Sequence, residues 1–125
     1  MKKILVVEDD RRIVTALKIR LQAEGYEVAA AYDAALAMSR AVEFEPDLVL
    51  LDISMPGGNG FMVAERLQNS AVTAGVPMIF LTASKKPGLL EQAMQLGAAQ
   101  FIEKPYHAAD LLAAIEAALG EAVSA

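Results

Sequence analysis

The sequence predicts an α/β domain in which a parallel sheet is covered by helices on both faces. Three observations predict it. Short apolar runs alternate along the chain with segments whose apolar residues recur at helical spacing. The purest of these runs are four or five aliphatic residues long, which is typical of strands buried on both faces. Most of the runs end in a polar or charged residue, so one edge of the sheet is expected to be polar.

Length and composition narrow the classes of protein to which the chain can belong. Its 125 residues match one domain of ordinary size, which we place at residues 1–121, with 122–125 as a frayed tail or the start of a linker. A hydrophobic content of 55% predicts a substantial core. The absence of cysteine excludes disulfides, thiolate metal sites and thiol nucleophiles.

Charge and hydropathy predict a cytoplasmic protein that binds neither nucleic acid nor membrane directly. The net charge of −5 disfavours binding to the phosphate backbone of DNA or RNA. No apolar run approaches the roughly 20 residues that span a bilayer. The apolar part of the N-terminal segment is only four residues long, Ile4–Val7, and acids follow it, unlike the pattern of a secretory signal peptide.

Five short runs predict the strands: Ile4–Val7, Tyr26–Ala31, Leu48–Asp52, Pro77–Thr82 and Gln100–Lys104. The second run alternates apolar residues with Glu27, so we expect a more exposed strand at an edge of the sheet. The third run is apolar up to its terminal carboxylate, Asp52, and should lie in the centre of the sheet.

The segment after each strand carries apolar residues at helical spacing. Asp10 and Asp33 are suited to cap the first two helices, and Gly25 and Gly97 are suited to end the first and the fourth. Each helix has its own apolar stripe, represented in order by Val14 and Leu17, Leu36 and Met38, Phe61 and Leu67, Leu89 and Ala93, and Leu111 and Ile115.

Alternating strands and helices imply right-handed βαβ units. Five strands of this kind most often follow the flavodoxin-like order 2-1-3-4-5, a doubly wound three-layer sandwich with its ligands at the carboxyl ends of the strands. In this order Glu8 and Asp9 lie beside Asp52, and Thr82 and Lys104 follow on the next two strands. We therefore expect these side chains to line one crevice.

Three carboxylates at one rim repel each other, and a bound cation relieves that repulsion. Glu8, Asp9 and Asp52 offer only oxygen ligands, which suit Mg²⁺ or Mn²⁺ better than zinc. A backbone carbonyl in the loop after Asp52, such as that of Ser54, is a candidate further ligand. Taken alone, the acids after the first strand indicate only a helix start, and Asp52 only a turn. Their expected proximity favours a metal site.

A lysine near these acids suggests phosphoryl chemistry. Lys104 can serve simply to neutralise the acids, or it can form with a divalent ion a clamp for a phosphoryl group. Aspartate is an established nucleophile that forms acyl phosphates, so Asp52 is the candidate acceptor. The Thr82 hydroxyl can bind a second phosphoryl oxygen, although a threonine at a strand end is more often a turn residue.

Four short motifs stand at the ends of predicted strands: Glu8-Asp9, Asp52-x-x-Met55-Pro56, Thr82-Ala83 and Lys104-Pro105. Together they resemble the receiver domain of two-component response regulators. The resemblance extends over nearly the whole chain, and the four motifs are far more specific together than any one of them alone.

The resemblance implies that Asp52 accepts a phosphoryl group from a sensor histidine kinase or a phosphotransfer protein. It implies that Asp9 binds Mg²⁺ directly, that Glu8 binds it through water, and that the Ser54 backbone carbonyl is a further ligand. The domain would then be a signalling phosphoacceptor with its own phosphorylation and dephosphorylation chemistry, not a turnover enzyme.

The resemblance also implies a conformational switch. Thr82 would move towards the phosphoryl group, and Phe101, at the position of the aromatic switch residue of the family, would turn inward. The alternative is that Phe101 is ordinary strand filler. The surface of the fourth helix, fifth strand and fifth helix would be read by an output partner or domain, or by a second copy in a phosphorylation-dependent dimer. The resemblance further implies a cis bond between Lys104 and Pro105.

Two positions depart from the commoner family pattern without removing a required ligand: Glu8 replaces Asp, and Asn59 stands where many relatives have an acid. Three other functions fit less well. A small aspartyl-phosphate phosphatase usually has an acid where this chain has Ser54. A flavin- or nucleotide-binding relative would need a glycine or hydroxyl cradle after the first strand. A receiver-shaped interaction module that is never phosphorylated would not need the intact motifs.

Overall fold

The computed structural model describes residues 1–53 and 60–120. Within these residues strands and helices alternate as β1 (Lys3–Val7), α1 (Arg11–Ala23), β2 (Glu27–Ala31), α2 (Ala34–Phe44), β3 (Leu48–Asp52), α3 (Gly60–Asn69), β4 (Met78–Thr82), α4 (Leu89–Gln95), β5 (Gln100–Glu103) and α5 (Ala108–Ala118). Some predictions concern residues outside this described part of the chain. These residues are Ser54, Met55, Pro56, Asn59 and the tail at 122–125.

The strands form one parallel sheet in the order β2-β1-β3-β4-β5, which confirms the predicted topology. β3 and β4 are buried along their whole length, whereas β2 and β5 are partly exposed. This difference follows from the topology, because the outer strands have a neighbour on one side only. The prediction of an exposed second strand at an edge is confirmed.

Helices cover both faces of the sheet, and the sheet separates the core into two layers. The apolar faces of α2, α3 and α4 pack on one side, around Leu51 and Phe80. The apolar faces of α1 and α5 pack on the other, around Leu50 and Ile79. Consecutive strand residues alternate between the two layers, as the pleat of a strand requires.

The helix ends agree with the sequence signals. The Asp10 and Asp33 side chains accept hydrogen bonds from the backbone N–H groups of Arg12 and Leu36, at 2.9 and 2.8 Å. Gly25 has φ of +90°, the left-handed conformation that a glycine adopts at low cost after a helix.

Several strand boundaries differ from the prediction by one residue. β2 begins at Glu27 because the Tyr26 N–H still bonds to Leu21 of the preceding helix, at 3.1 Å. β4 begins at Met78, after Pro77, which has no N–H to donate. None of the described helices is long and apolar enough to cross a membrane.

Candidate functional site

The acids of the sheet's carboxyl edge lie together. Val7 and Leu51 are register partners on neighbouring strands, so the residues that follow them, Glu8 and Asp52, are side by side. Carboxylate oxygens of Glu8, Asp9 and Asp52 lie within 4.8 Å of one another. Glu8 and Asp52 are buried and Asp9 is exposed, so the cluster has a buried floor and an open side.

Gly60 allows the third helix to begin close to the end of β3. A Cβ atom at position 60 would lie 2.7 Å from the Asp52 carbonyl oxygen and 2.7 Å from the Ile53 Cα. Both are backbone atoms, which cannot turn aside as a flexible side chain can. Glycine at this position therefore helps to fix the backbone that carries Asp52.

Lys104 follows the edge strand β5, and its side chain extends along the carboxyl edge of the sheet to the acids. Its Nζ lies 3.0 Å from Glu8 Oε1 and 3.4 Å from Asp52 Oδ2. Its backbone N–H donates to the Thr82 carbonyl at 2.7 Å, which anchors the segment against β4. The peptide bond between Lys104 and Pro105 is cis.

Thr82 lies on β4, next to the strand that carries Asp52, and Phe101 lies on β5, the edge strand beyond it. Thr82 is fully buried at the end of β4, and its hydroxyl oxygen accepts a hydrogen bond from the Ser84 N–H at 2.9 Å. Phe101 is the register partner of Phe80 and packs, partly buried, against the layer of α2, α3 and α4. Just beyond it, Lys85 and Glu103 form an exposed ion pair at 3.0 Å.

The surroundings of Glu8 and Lys104 shift the pKa of each of these two groups. Burial, followed by the hydrogen bond with Asp52, raises the pKa of Glu8 from 4.5 to about 7, although Lys104 opposes the shift. Burial alone would lower the pKa of Lys104, but its contacts with Glu8 and Asp52 outweigh that effect and raise the pKa. A negative charge on Glu8 beside Asp52 is therefore unfavourable without a metal, and a bound cation would favour the ionised Glu8 carboxylate.

The donor set fits a hard divalent cation. The cluster supplies three carboxylates, and oxygen ligands of this kind are those that Mg²⁺ and Mn²⁺ prefer. The expected Ser54 carbonyl lies outside the described residues. Of the remaining predicted residues, the structure brings Lys104 into direct contact with two of the acids, and it places Thr82 beside the Lys104 backbone.

Sequence analysis missed Tyr106, which directly follows Lys104 and Pro105. Its side chain is partly buried and packs against the layer of α1 and α5. Burial raises the pKa of Tyr106, while the nearby positive charge of Lys104 works against that rise. An aromatic residue immediately after the lysine-proline motif was the available signal.

Comparison with known proteins assigns the family. Residues 4–116 match the response regulator receiver domain family. The chain therefore belongs to this family and is a receiver domain of a two-component response regulator.

Relatives and solved structures agree with the family. The chain is 34% identical over 119 residues to the DNA-binding dual master transcriptional regulator RpaA of Synechocystis, covering 95% of this chain and 49% of RpaA. It is 35% identical over 118 residues to the phosphate regulon transcriptional regulatory protein PhoB of Pseudomonas aeruginosa, covering 94% of this chain and 52% of PhoB. The chain thus spans about half the length of these two relatives.

Two solved structures illustrate the similarity of fold. A CheY-like response regulator receiver domain protein from Methanospirillum hungatei matches with a TM-score of 0.90 and 30% identity, over 97% of this chain and 95% of the other. The non-phosphorylated receiver domain of HemR from Leptospira biflexa matches with a TM-score of 0.88 and 34% identity, over 98% and 97% of the two chains.

Proposed function

We propose that Asp52 is the phosphoacceptor of this receiver domain and that Glu8, Asp9, Lys104 and Thr82 serve its phosphorylation. The observation that carries the proposal is the meeting of three carboxylates, within 4.8 Å of one another, with an ammonium 3.4 Å from Asp52. Phosphoryl transfer requires mainly positioning and charge neutralisation, and these groups provide both.

The proposed reaction is an in-line displacement. A carboxylate oxygen of Asp52 attacks the phosphorus atom of a phosphohistidine on a sensor histidine kinase or phosphotransfer protein. The new bond joins the Asp52 oxygen to phosphorus, and the bond from phosphorus to the imidazole nitrogen breaks. The nitrogen keeps the bonding electron pair and is protonated by solvent. Asp52 is buried and Asp9 is exposed, so the phosphoryl donor would approach from the side of Asp9.

The chain's own residues then hold the product. The Lys104 ammonium binds one phosphoryl oxygen, and the Thr82 hydroxyl binds another. Mg²⁺, or Mn²⁺, would be held by Glu8, Asp9 and Asp52 together with the Ser54 carbonyl, and when bound it supplies positive charge to the phosphoryl oxygens. These roles make the domain a signalling switch that modifies itself, not a turnover enzyme.

Phosphorylation is proposed to change the face formed by α4, β5 and α5. Thr82 leaves its resting hydrogen bond with Ser84 to reach the phosphoryl group, and Phe101 turns inward towards the space that Thr82 occupied. Leu90 and Met94 on α4 are large apolar side chains, 51% and 56% exposed, which supports α4 as part of a recognition surface. The proposed readers are an output partner or domain, or a second copy in a phosphorylation-dependent dimer.

The proposed place of action is the cytoplasm, where kinases draw on ATP. RpaA and PhoB are described as a DNA-binding transcriptional regulator and a transcriptional regulatory protein. A DNA-bound output therefore fits a longer chain of this kind, with the DNA contacts made outside this acidic domain.

Incubation with acetyl phosphate tests the acceptor. Intact-mass measurement should show the gain of one phosphoryl group in the wild type when Mg²⁺ is present, and none when EDTA replaces it. Asp52→Asn should abolish the gain. Asp110→Asn is the matched control, because it makes the same change at an exposed acid in the first turn of α5, and it should react as the wild type does.

Two results would contradict the proposal. One is a wild-type protein that stays unmodified with Mg²⁺ although its circular dichroism spectrum is that of a folded α/β domain. The other is phosphorylation of Asp52→Asn at the wild-type rate, which would place the acceptor elsewhere.

A further inference from the structure

Two carboxylates share the Lys104 ammonium, and the nearer one is not the proposed acceptor. The Nζ atom lies 3.0 Å from Glu8 Oε1 but 3.4 Å from Asp52 Oδ2. A charged hydrogen bond is strong near the first distance and weak at the second. In the resting domain, Lys104 is therefore bound chiefly to Glu8.

The surroundings of this ion pair make it stronger than an ordinary surface pair. Glu8 is 3% exposed and the Lys104 side chain 19% exposed, so water screens the pair only in part. The second oxygen of the same carboxylate, Glu8 Oε2, accepts a hydrogen bond from the Asp10 N–H at 3.3 Å. The carboxylate is thereby held in place to receive the lysine.

The length of the glutamate side chain makes the contact. Glu8 follows β1, whereas Lys104 follows β5, so the lysine must reach past the ends of β4 and β3. A glutamate extends its carboxylate more than about 1 Å further than an aspartate does, because it has one additional carbon–carbon bond. An aspartate at position 8 would leave the lysine with Asp52 as its remaining near partner.

We propose that Glu8 is the resting counterion of Lys104, that it holds the ammonium nearer to itself than to Asp52, and that release of this pair sets the threshold for phosphorylation. The inference rests on the proposed function, in which Lys104 binds a phosphoryl oxygen. It identifies Glu8 as the contact that Lys104 gives up at that step. Glu8 is in this respect a positioning residue, in addition to its place in the acidic cluster.

The energetic consequence has a definite sign. Binding of a phosphoryl group requires Lys104 to exchange the Glu8 carboxylate for a phosphoryl oxygen, so the gain from the new contact is reduced by the loss of the old one. A shorter acid at position 8 removes the stronger resting contact, so that only the longer one to Asp52 remains, and it leaves the contact with the phosphoryl group intact. Such a variant should therefore bind a phosphoryl analogue more tightly than the wild type.

Fluoroberyllate, an analogue of the phosphoryl group, tests this sign. Titration at pH 8 with saturating Mg²⁺ is followed by amide NMR in the wild type and in Glu8→Asp. Saturation is verified by repeating the titration at twice the Mg²⁺ concentration. Glu8→Asp should lower the fluoroberyllate Kd on the order of tenfold, the effect of losing one charged hydrogen bond in the resting state.

A matched control separates this effect from a general consequence of shortening an acid. Glu27→Asp makes the same change at an exposed residue. Glu27 is the first residue of β2, so it lies at the opposite end of the strands from the acids. Its fluoroberyllate Kd should equal that of the wild type. If Glu8→Asp also gives the wild-type Kd at saturating Mg²⁺, Glu8 acts only through the metal and the proposal is overturned.

A second readout needs neither metal nor phosphoryl analogue. The Lys104 ammonium signal in a ¹⁵N-labelled, metal-free sample at pH 8 reports its resting partner, because a buried ion pair slows exchange of the ammonium protons. Glu8→Asp should weaken or shift this signal, and Glu27→Asp should not. An unchanged Lys104 signal in folded Glu8→Asp would refute the resting pair.

The two readouts keep the inference distinct from the proposed function. If the wild type fails to bind fluoroberyllate, the phosphoacceptor function fails, while the Lys104 signal still decides whether the pair exists. Should Glu8→Asp fail to fold by circular dichroism, Glu8→Gln supplies the same ammonium comparison, since it keeps the length and removes the charge.

Discussion

β4 and β5 are neighbours in the sheet, but they differ sharply in how firmly the rest of the molecule holds them. All five residues of β4 are buried, and its last residue, Thr82, is fully enclosed. β5 has four residues, of which the first and last are exposed and the middle two only partly buried. The helix between them, α4, has seven residues and buries only Ala93.

We propose that this difference separates two tasks within one sheet. The acids and Thr82 stand at the ends of strongly buried strands, where their relative positions are fixed by packing. Phe101 and the α4 surface belong to the lightly buried edge, where a change of position disturbs few contacts. A switch needs both: a rigid region in which the chemistry occurs, and a weakly held region that can respond to it.

Replacing one phenylalanine by alanine on β4 and one on β5 should give the largest difference in the free energy of unfolding. Phe80 and Phe101 are register partners, but Phe80 is fully buried and meets Phe61 edge to face at 5.5 Å. Phe80→Ala should lower the free energy of unfolding by about 3–5 kcal/mol, because a closed cavity remains. Phe101→Ala should cost no more than about 2 kcal/mol, since its site is already partly open to solvent.

Urea denaturation followed by circular dichroism measures both losses. Phe101→Ala should in addition still bind fluoroberyllate but transmit less of its effect to the amide signals of α4. Equal losses of stability at the two positions would show that β5 is as firmly held as β4, and the proposed separation of tasks would not stand.

Substitution of two glycines tests how tightly the backbone is packed around Asp52. Gly60→Ala would place a Cβ atom 2.7 Å from the Asp52 carbonyl oxygen, whereas a Cβ atom at Gly75 would have no neighbour within 4 Å. Gly60→Ala should therefore cost about 1–3 kcal/mol, as overpacking against backbone does. Gly75→Ala should change the stability by less than about 0.5 kcal/mol.

The proposed acceptor, Asp52, should respond to the same substitution. Because Gly60→Ala pushes against the backbone of Asp52, it should also slow phosphorylation by acetyl phosphate, while Gly75→Ala should react at the wild-type rate. A Gly60→Ala protein that is as stable and as reactive as Gly75→Ala would mean that the close approach of α3 does not position the acceptor.

Much of this arrangement follows from pattern alone. The strand order, the central place of β3 and the convergence of Glu8, Asp9 and Asp52 all derive from two rules. Alternating strands and helices make a parallel sheet, and the carboxyl ends of parallel strands share one edge. Each rule depends on residue type and order, which a sequence displays directly.

Other features depend on distances that a sequence does not display. The preference of Lys104 for Glu8 over Asp52 is a difference between 3.0 and 3.4 Å, set by side-chain length and by the reach across two strand ends. The need for glycine at position 60 arises from the approach of α3 to Asp52, which depends on packing between elements. Strand ends shifted by one residue, because hydrogen bonds such as that from Tyr26 to Leu21 compete locally.

The smallest expected effect concerns the ion pair that joins the loop after β4 to the end of β5. Lys85 Nζ and Glu103 Oε2 lie 3.0 Å apart, with the two side chains 72% and 60% exposed. Such a pair contributes about 0–1 kcal/mol and is screened by salt. A double-mutant cycle with Lys85→Gln and Glu103→Gln, measured by urea denaturation, should give a coupling energy within that range.

The salt dependence of this coupling decides whether the pair holds the loop electrostatically. The coupling should fall towards zero as NaCl rises to roughly 1 M, where the screening length is about 3 Å. The charge-swapped protein, Lys85→Glu with Glu103→Lys, should recover most of the coupling at low salt. Lys86→Gln is the control, because Lys86 is the adjacent exposed lysine, and its loss should show no coupling to Glu103. A coupling well above 1 kcal/mol that resists salt would instead mean that the loop is held as firmly as the centre of the sheet, against the weak edge that β5 and α4 present.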